Sequence, residues 1–68
     1  MSNLDHELAV FIRRKRGNRT YAEFANIVGV TPSTVFRLEQ QQQSCTLRSL
    51  RKILGRLECS YRDVFAAD

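Results

Sequence analysis

The side chains with chemistry to offer in this 68-residue chain are mostly cations and hydrogen-bonding groups. Arg13, Arg14, Lys15, Arg16 and Arg19 follow one another with no acid among them, and Arg48, Arg51, Lys52 and Arg56 recur further on. Eleven Lys and Arg against seven Asp and Glu give a formal charge of +4 and a sequence pI near 9.7, a footprint suited to a polyanionic partner. The first basic run also reads as a solvated helix end, because cations suit the negative pole of a helix dipole. Between the two basic segments stand Ser33, Thr34, Arg37 and Gln40, then Gln41, Gln42, Gln43 and Ser44. These guanidinium, hydroxyl and amide groups donate and accept hydrogen bonds.

The groups that catalysis needs are missing. There is no paired-carboxylate constellation, no glycine-rich phosphate loop and no nucleophile beside a base, so an enzyme is not expected. Cys45 and Cys59 lack the paired spacing of a zinc or redox site and read as small buried hydrophobes. His6 is the only histidine; it falls in the first turn of a helix and is expected to face solvent. Neither a metal nor a cofactor is expected.

A chain of this length forms one domain, taken as residues 1–68, of modest stability. With 43% apolar and 26% charged residues, it has the composition of an ordinary globular protein. No apolar run approaches the roughly 20 residues needed to cross a bilayer. Asp5, His6 and Glu7 interrupt the N-terminus too early for a signal peptide, and a cytoplasmic location is expected.

The elements that must position the polar groups can be read from periodicity. In Tyr21–Gln40, Phe24, Ala25 and Val28 lie three and four apart, as do Val35 and Leu38, so two short helices each carry one buried stripe. Thr20 with Glu23 fits a capping box for the first. Thr31 can cap the second, with Pro32 at its first position, and Gly29 suits a left-handed residue between them. Burying Val35 and Leu38 turns Ser33, Thr34, Arg37 and Gln40 outward.

This segment resembles the helix-turn-helix of the lambda-repressor-like Cro/CI (XRE-type) family of DNA-binding proteins. Ala25, Gly29, Phe24, Val28, Val30, Val35 and Leu38 stand where that pattern has its alanine, its glycine and its apolar residues, and the agreement continues through Arg37-Leu38-Glu39 and the spaced Leu47, Leu50 and Leu54. The resemblance implies an all-α, compact five-helix fold with the motif at helices 2 and 3. It also implies that helix 3 reads double-stranded DNA through Pro32, Ser33, Thr34 and Arg37. An arginine can donate two parallel bonds to guanine O6 and N7, and short hydroxyls reach a base or a phosphate. For Arg37 a surface position or an ion pair with Glu23 or Glu39 is the plainer alternative. Arg19, Thr20, Tyr21, Thr31, Gln40, Gln42, Gln43 and Ser44 are the expected contacts to the DNA backbone. Many relatives begin helix 2 with glutamine; Tyr21 stands there and can donate its hydroxyl to a phosphate. Gln41 replaces a usual glycine. Phe36 either packs against the following loop and helix or contacts a thymine methyl or a partner subunit.

The family also pairs a basic residue late in helix 1 with the glutamate after helix 3. Counting back from the motif assigns that role to Arg14 with Glu39, or to Arg16 if the loop is one residue longer. Helix 1, from Leu4 to Arg16, has an apolar stripe at Leu4, Leu8, Phe11 and Ile12, a cap at Ser2 or Asn3 and a stop at Gly17-Asn18. Helix 4 follows Thr46 with Leu47, Leu50, Ile53, Leu54 and Leu57 as its stripe and is expected to be the main scaffold for the motif. Gly55 within it implies a close helix contact or an early end. Ser60 and Asp63 cap a last helix whose Tyr61, Val64 and Phe65 are the expected homodimer contacts. No separate dimerisation or ligand-sensing domain is expected after this helix. The expected function is a sequence-specific DNA-binding transcriptional regulator, a repressor acting as a homodimer. The alternative is a protein-interaction module or antitoxin-like partner that keeps the fold.

Overall fold

Five helices follow one another in the computed structural model, which describes residues 3–65. They are α1 (Asn3–Arg16), α2 (Tyr21–Val28), α3 (Pro32–Glu39), α4 (Leu47–Leu57) and α5 (Tyr61–Phe65), with no strand among the described residues. The expected cap at Ser2 lies outside those residues. The all-α, five-helix lambda-repressor-like architecture is the one expected.

The local signals at the two central helices are all realised. The Glu23 N–H donates to Thr20 Oγ1 at 3.0 Å and the Thr20 N–H donates to Glu23 Oε1 at 3.0 Å, completing the capping box. Gly29 ends α2 with φ +81°, its N–H donating to Ala25 O at 2.8 Å. Thr31 Oγ1 accepts from the Thr34 N–H at 3.1 Å, and Pro32 opens α3. At α4, Thr46 Oγ1 accepts from the Ser49 N–H at 3.1 Å. Asp63 accepts from the Ser60 N–H at 2.8 Å ahead of α5.

The core joins Leu8, Phe11 and Ile12 of α1 to Phe24, Ala25 and Val28 of α2, Val35 and Leu38 of α3, Leu50, Ile53 and Leu54 of α4, and Val64 of α5. Three expectations need correction. Leu4 and Leu47, assigned to the stripes of α1 and α4, are 56% and 70% exposed. Both lie in the first turn of their helices, at the rim of a groove shared with Asp5, Ser44 and Tyr61. Gly55 marks neither a close contact nor an early end: a Cβ there would meet nothing within 4 Å, and α4 runs on to Leu57. It stops at Glu58, which takes a left-handed φ of 57°.

Nor is α4 the main support of the whole motif. It packs on α2, while α3 lies against α1 and α2. The basic face of α4 makes the α2 contact specific: Lys52 Nζ donates to Gly29 O and Arg56 Nη1 to Ile27 O, each at 3.3 Å. Two cations thus satisfy carbonyls at the negative end of α2. A Cβ at Gly29 would come within 3.2 Å of both side chains, so space and backbone both favour glycine there. Among the described residues, no helix is long and apolar enough to cross a membrane.

Candidate nucleic-acid interface

Ser33 and Arg37 stand one turn apart on α3, as do Pro32 and Phe36, so the four share a face. All four are exposed. Together with Tyr21 at the start of α2 and Gln42 of the following loop they line an open concavity of about 420 Å³. The Arg37 Nε–H donates to Gln43 Oε1 at 2.6 Å, and among the described residues Arg37 has no ion pair with Glu23, Glu39 or any other acid. The guanidinium is held from one side by the loop and keeps its Nη donors for a ligand.

Thr34 is placed differently. It is half-buried and its hydroxyl lies 2.9 Å from that of Thr31, so it completes the α3 cap. Thr20 and Thr31, expected at the DNA backbone, are both exposed but spend their hydroxyl oxygens on cap N–H groups. Arg19 is exposed, with Nη1 3.4 Å from Lys15 O, and Gln40 is exposed at the end of α3. The first backbone N–H groups of α2 and α3 add partial positive charge on either side of the concavity.

The glutamine loop divides in two. Gln42 and Gln43 belong to the Arg37 side. Gln41 and Ser44 turn to α1: Gln41 Nε2 is 3.3 Å from His6 Nδ1, and Ser44 Oγ donates to Asp5 Oδ2 at 3.2 Å. A carboxylate at Ser44 repels phosphate. Gln41, between the end of α3 and Gln42, adopts a left-handed φ of 58°.

The ion pair supporting α3 is made by Arg16, not Arg14. Arg16 Nε donates to Glu39 Oε2 at 2.6 Å and Nη2 to Glu39 Oε1 at 3.0 Å, with Arg13 Nε a more distant 3.8 Å from Oε1. Periodicity explains the choice: Arg16 follows Ile12 by one turn on the buried stripe, whereas Arg14 lies on the far side of α1 and is exposed. The Glu39 side chain is fully buried. Its hydrogen bonds hold the Arg16 guanidinium above its ordinary pKa, against the opposing pull of burial, with the charge of Glu39 and then that of Tyr21 adding to the rise. The same guanidinium lies 4.3 Å from the Tyr21 ring centroid, and the Tyr21 ring meets Phe36 edge-on at 5.6 Å and 89°. Phe36 therefore packs on the start of α2. The ring contacts of this cluster, which ties α1, α2 and α3 together behind the concavity, were not legible in the sequence.

Elsewhere, Val64 was expected at a dimer surface but is 8% exposed and belongs to the core; of its neighbours, Tyr61 faces outward and Phe65 is half-buried. The five-residue α5 packs on α1, with Val64 in the core and Phe65 partly buried against it. Cys45 and Cys59 are free and half-buried; burial, with the charge of Asp5, pushes the Cys45 thiol up from its ordinary pKa. No group of His, Cys, Asp and Glu side chains that could hold a metal occurs among the described residues.

Residues 12–64 match the model of a helix-turn-helix family, most of the chain from within α1 to the end of the core in α5. No curated protein and no solved structure matches the chain. The matched span contains the capped pair α2 and α3, the concavity and the Arg16–Glu39 support, and on that match the chain belongs to the Cro/CI-type helix-turn-helix family of DNA-binding regulators.

Proposed function

We propose that the protein is a sequence-specific transcriptional repressor of phage or bacterial type that inserts α3 into the major groove and acts as a homodimer in the cytoplasm. The observation that carries this reading is the open concavity in which Arg37, oriented by Gln43, stands with Pro32 and Ser33 beside the N-terminus of α2. Arg37 supplies paired donors to a guanine, and Pro32 and Ser33 approach neighbouring base edges. Thr34, tied to Thr31, takes at most a supporting part. Arg19, Thr20, Tyr21, Thr31, Gln40, Gln42 and Gln43 flank that face and hold phosphates through side chains and backbone N–H groups. Repression follows from occupying a promoter.

Selection of preferred duplexes from a random pool tests the reading. A palindrome with half-sites about 34 Å apart supports specific binding by a two-fold dimer; recovery of unrelated sequences contradicts it. One observation favours a second reading, a protein-interaction module or antitoxin-like partner. Leu4, Leu47 and Tyr61 expose apolar surface around a single groove, which suits a protein surface. A stable complex with another protein, with no salt-dependent affinity for duplex DNA, would favour it.

A further inference from the structure

Phe36 is 41% exposed, one residue before Arg37 and one turn after Pro32, in the concavity that Arg37 and Ser33 also line. Its ring is fixed from behind. Tyr21 meets it edge-on at 5.6 Å, the Arg16 guanidinium covers the Tyr21 ring at 4.3 Å, and Glu39 grips that guanidinium with two hydrogen bonds. Residues from three helices thus hold one exposed aromatic surface in a set position beside a hydrogen-bonding arginine. Edge-to-face aromatic contacts and a guanidinium stacked on a ring are both favourable geometries, so the arrangement is a low-energy one. In the major groove the polar edges of the bases suit Arg37 and Ser33, and the one apolar group on offer is the 5-methyl of thymine. A rigid ring next to a base-facing arginine matches a methyl on the neighbouring base pair.

Resting on the DNA-reading function proposed above, we infer that Phe36 is a specificity-determining residue that packs on a thymine 5-methyl next to the base pair contacted by Arg37, and that Tyr21 is its positioning residue. Tyr21 then does by ring packing what relatives do with a glutamine amide, and it confers a preference for thymine at one place in each half-site.

The test replaces each thymine of a selected duplex, one at a time, with deoxyuridine, which removes the methyl and leaves every hydrogen-bonding group. Wild-type affinity should fall about three- to fivefold at one position per half-site, the effect of burying one methyl. Phe36→Ala should bind thymine and deoxyuridine duplexes equally. Tyr21→Phe should keep the difference and Tyr21→Ala should shrink it, with both variants checked for an intact thermal transition. Should Phe36→Ala not fold, Phe36→Gln takes its place. Equal wild-type affinity for all the substituted duplexes overturns the inference while leaving DNA binding intact, as does an undiminished difference in the Phe36 variant. No duplex binding at all overturns both this inference and the function on which it rests.

Discussion

Arg16 and Glu39, 23 residues apart, form a two-bond ion pair at 2.6 and 3.0 Å in which the carboxylate is fully buried. The pair fixes the end of α1 to the end of α3, and through the stacked Tyr21 ring it also fixes the start of α2. Removing one partner of such a pair strands the other charge in the interior. Arg16→Met should therefore cost about 3 kcal/mol in urea unfolding, whereas Arg14→Met on the exposed face should change stability by no more than about 0.5 kcal/mol. Since the folded state raises the Arg16 pKa, the contribution is complete below the ordinary guanidinium value and is lost only as pH climbs through the still higher folded one. The cost of Arg16→Met should accordingly be the same at neutral and mildly alkaline pH. Equal losses for the two arginines would contradict the assignment.

Two left-handed residues with opposite chemistry give a second prediction. Gly29 has φ +81° and side chains of Lys52 and Arg56 within 3.2 Å of a built Cβ, so Gly29→Ala should destabilise by about 1–2 kcal/mol. Gln41 has φ 58° without being glycine, and Gln41→Gly should stabilise by up to about 1 kcal/mol. Thermal unfolding reads both. In a domain of this size 1 kcal/mol corresponds to roughly 4–8 °C in Tm, and a shift of the same sign for both variants would contradict the backbone assignment.

How far the sequence reaches is visible at these positions. The caps at Thr20, Thr31 and Thr46 and the left-handed Gly29 were legible because capping and turn chemistry act within four residues. The buried stripes of α2 and α3 were legible because each repeats at the helical period. The ion-pair partner depended on where α1 meets the motif, and the periodicity through Ile12 to Arg16 outweighed a count made through the loop. The contacts of Lys52 and Arg56 with α2 were not legible, because the carbonyls they satisfy lie 23 and 29 residues away. The split of the glutamine loop and the Arg16–Tyr21–Phe36 stack were hidden for the same reason: both are contacts between elements distant in sequence.

The role of α5 yields a third prediction. Val64 is a core residue and Tyr61 an exposed one, so Val64→Ala should cost about 1–3 kcal/mol of stability through lost burial and a residual cavity. Tyr61→Ala should leave the unfolding midpoint nearly unchanged and, if α5 joins two copies, weaken self-association in sedimentation equilibrium. Loss of stability from Tyr61→Ala comparable to that from Val64→Ala would reverse their placement.

Base reading gives a fourth. Arg37→Ala should lose roughly 1–3 kcal/mol of affinity on the preferred duplex and relax the preference at one base pair, because a bidentate donor leaves while the phosphate contacts remain. Gln43→Ala, which removes the acceptor 2.6 Å from Arg37 Nε, should show a smaller loss at the same base pair. Titration on preferred and scrambled duplexes separates the outcomes. An equal loss on both duplexes would assign Arg37 to the phosphates.

The central claim, that a basic helix-turn-helix surface binds duplex DNA, is tested most directly by measuring wild-type affinity for a selected duplex as salt rises from about 50 to 200 mM. Log K should fall linearly with log salt concentration, with a slope of about −0.9 for each phosphate neutralised and several units in all. The preferred duplex should stay tighter than a scrambled one throughout. Undetectable binding, or an affinity that does not change with salt, would contradict the account.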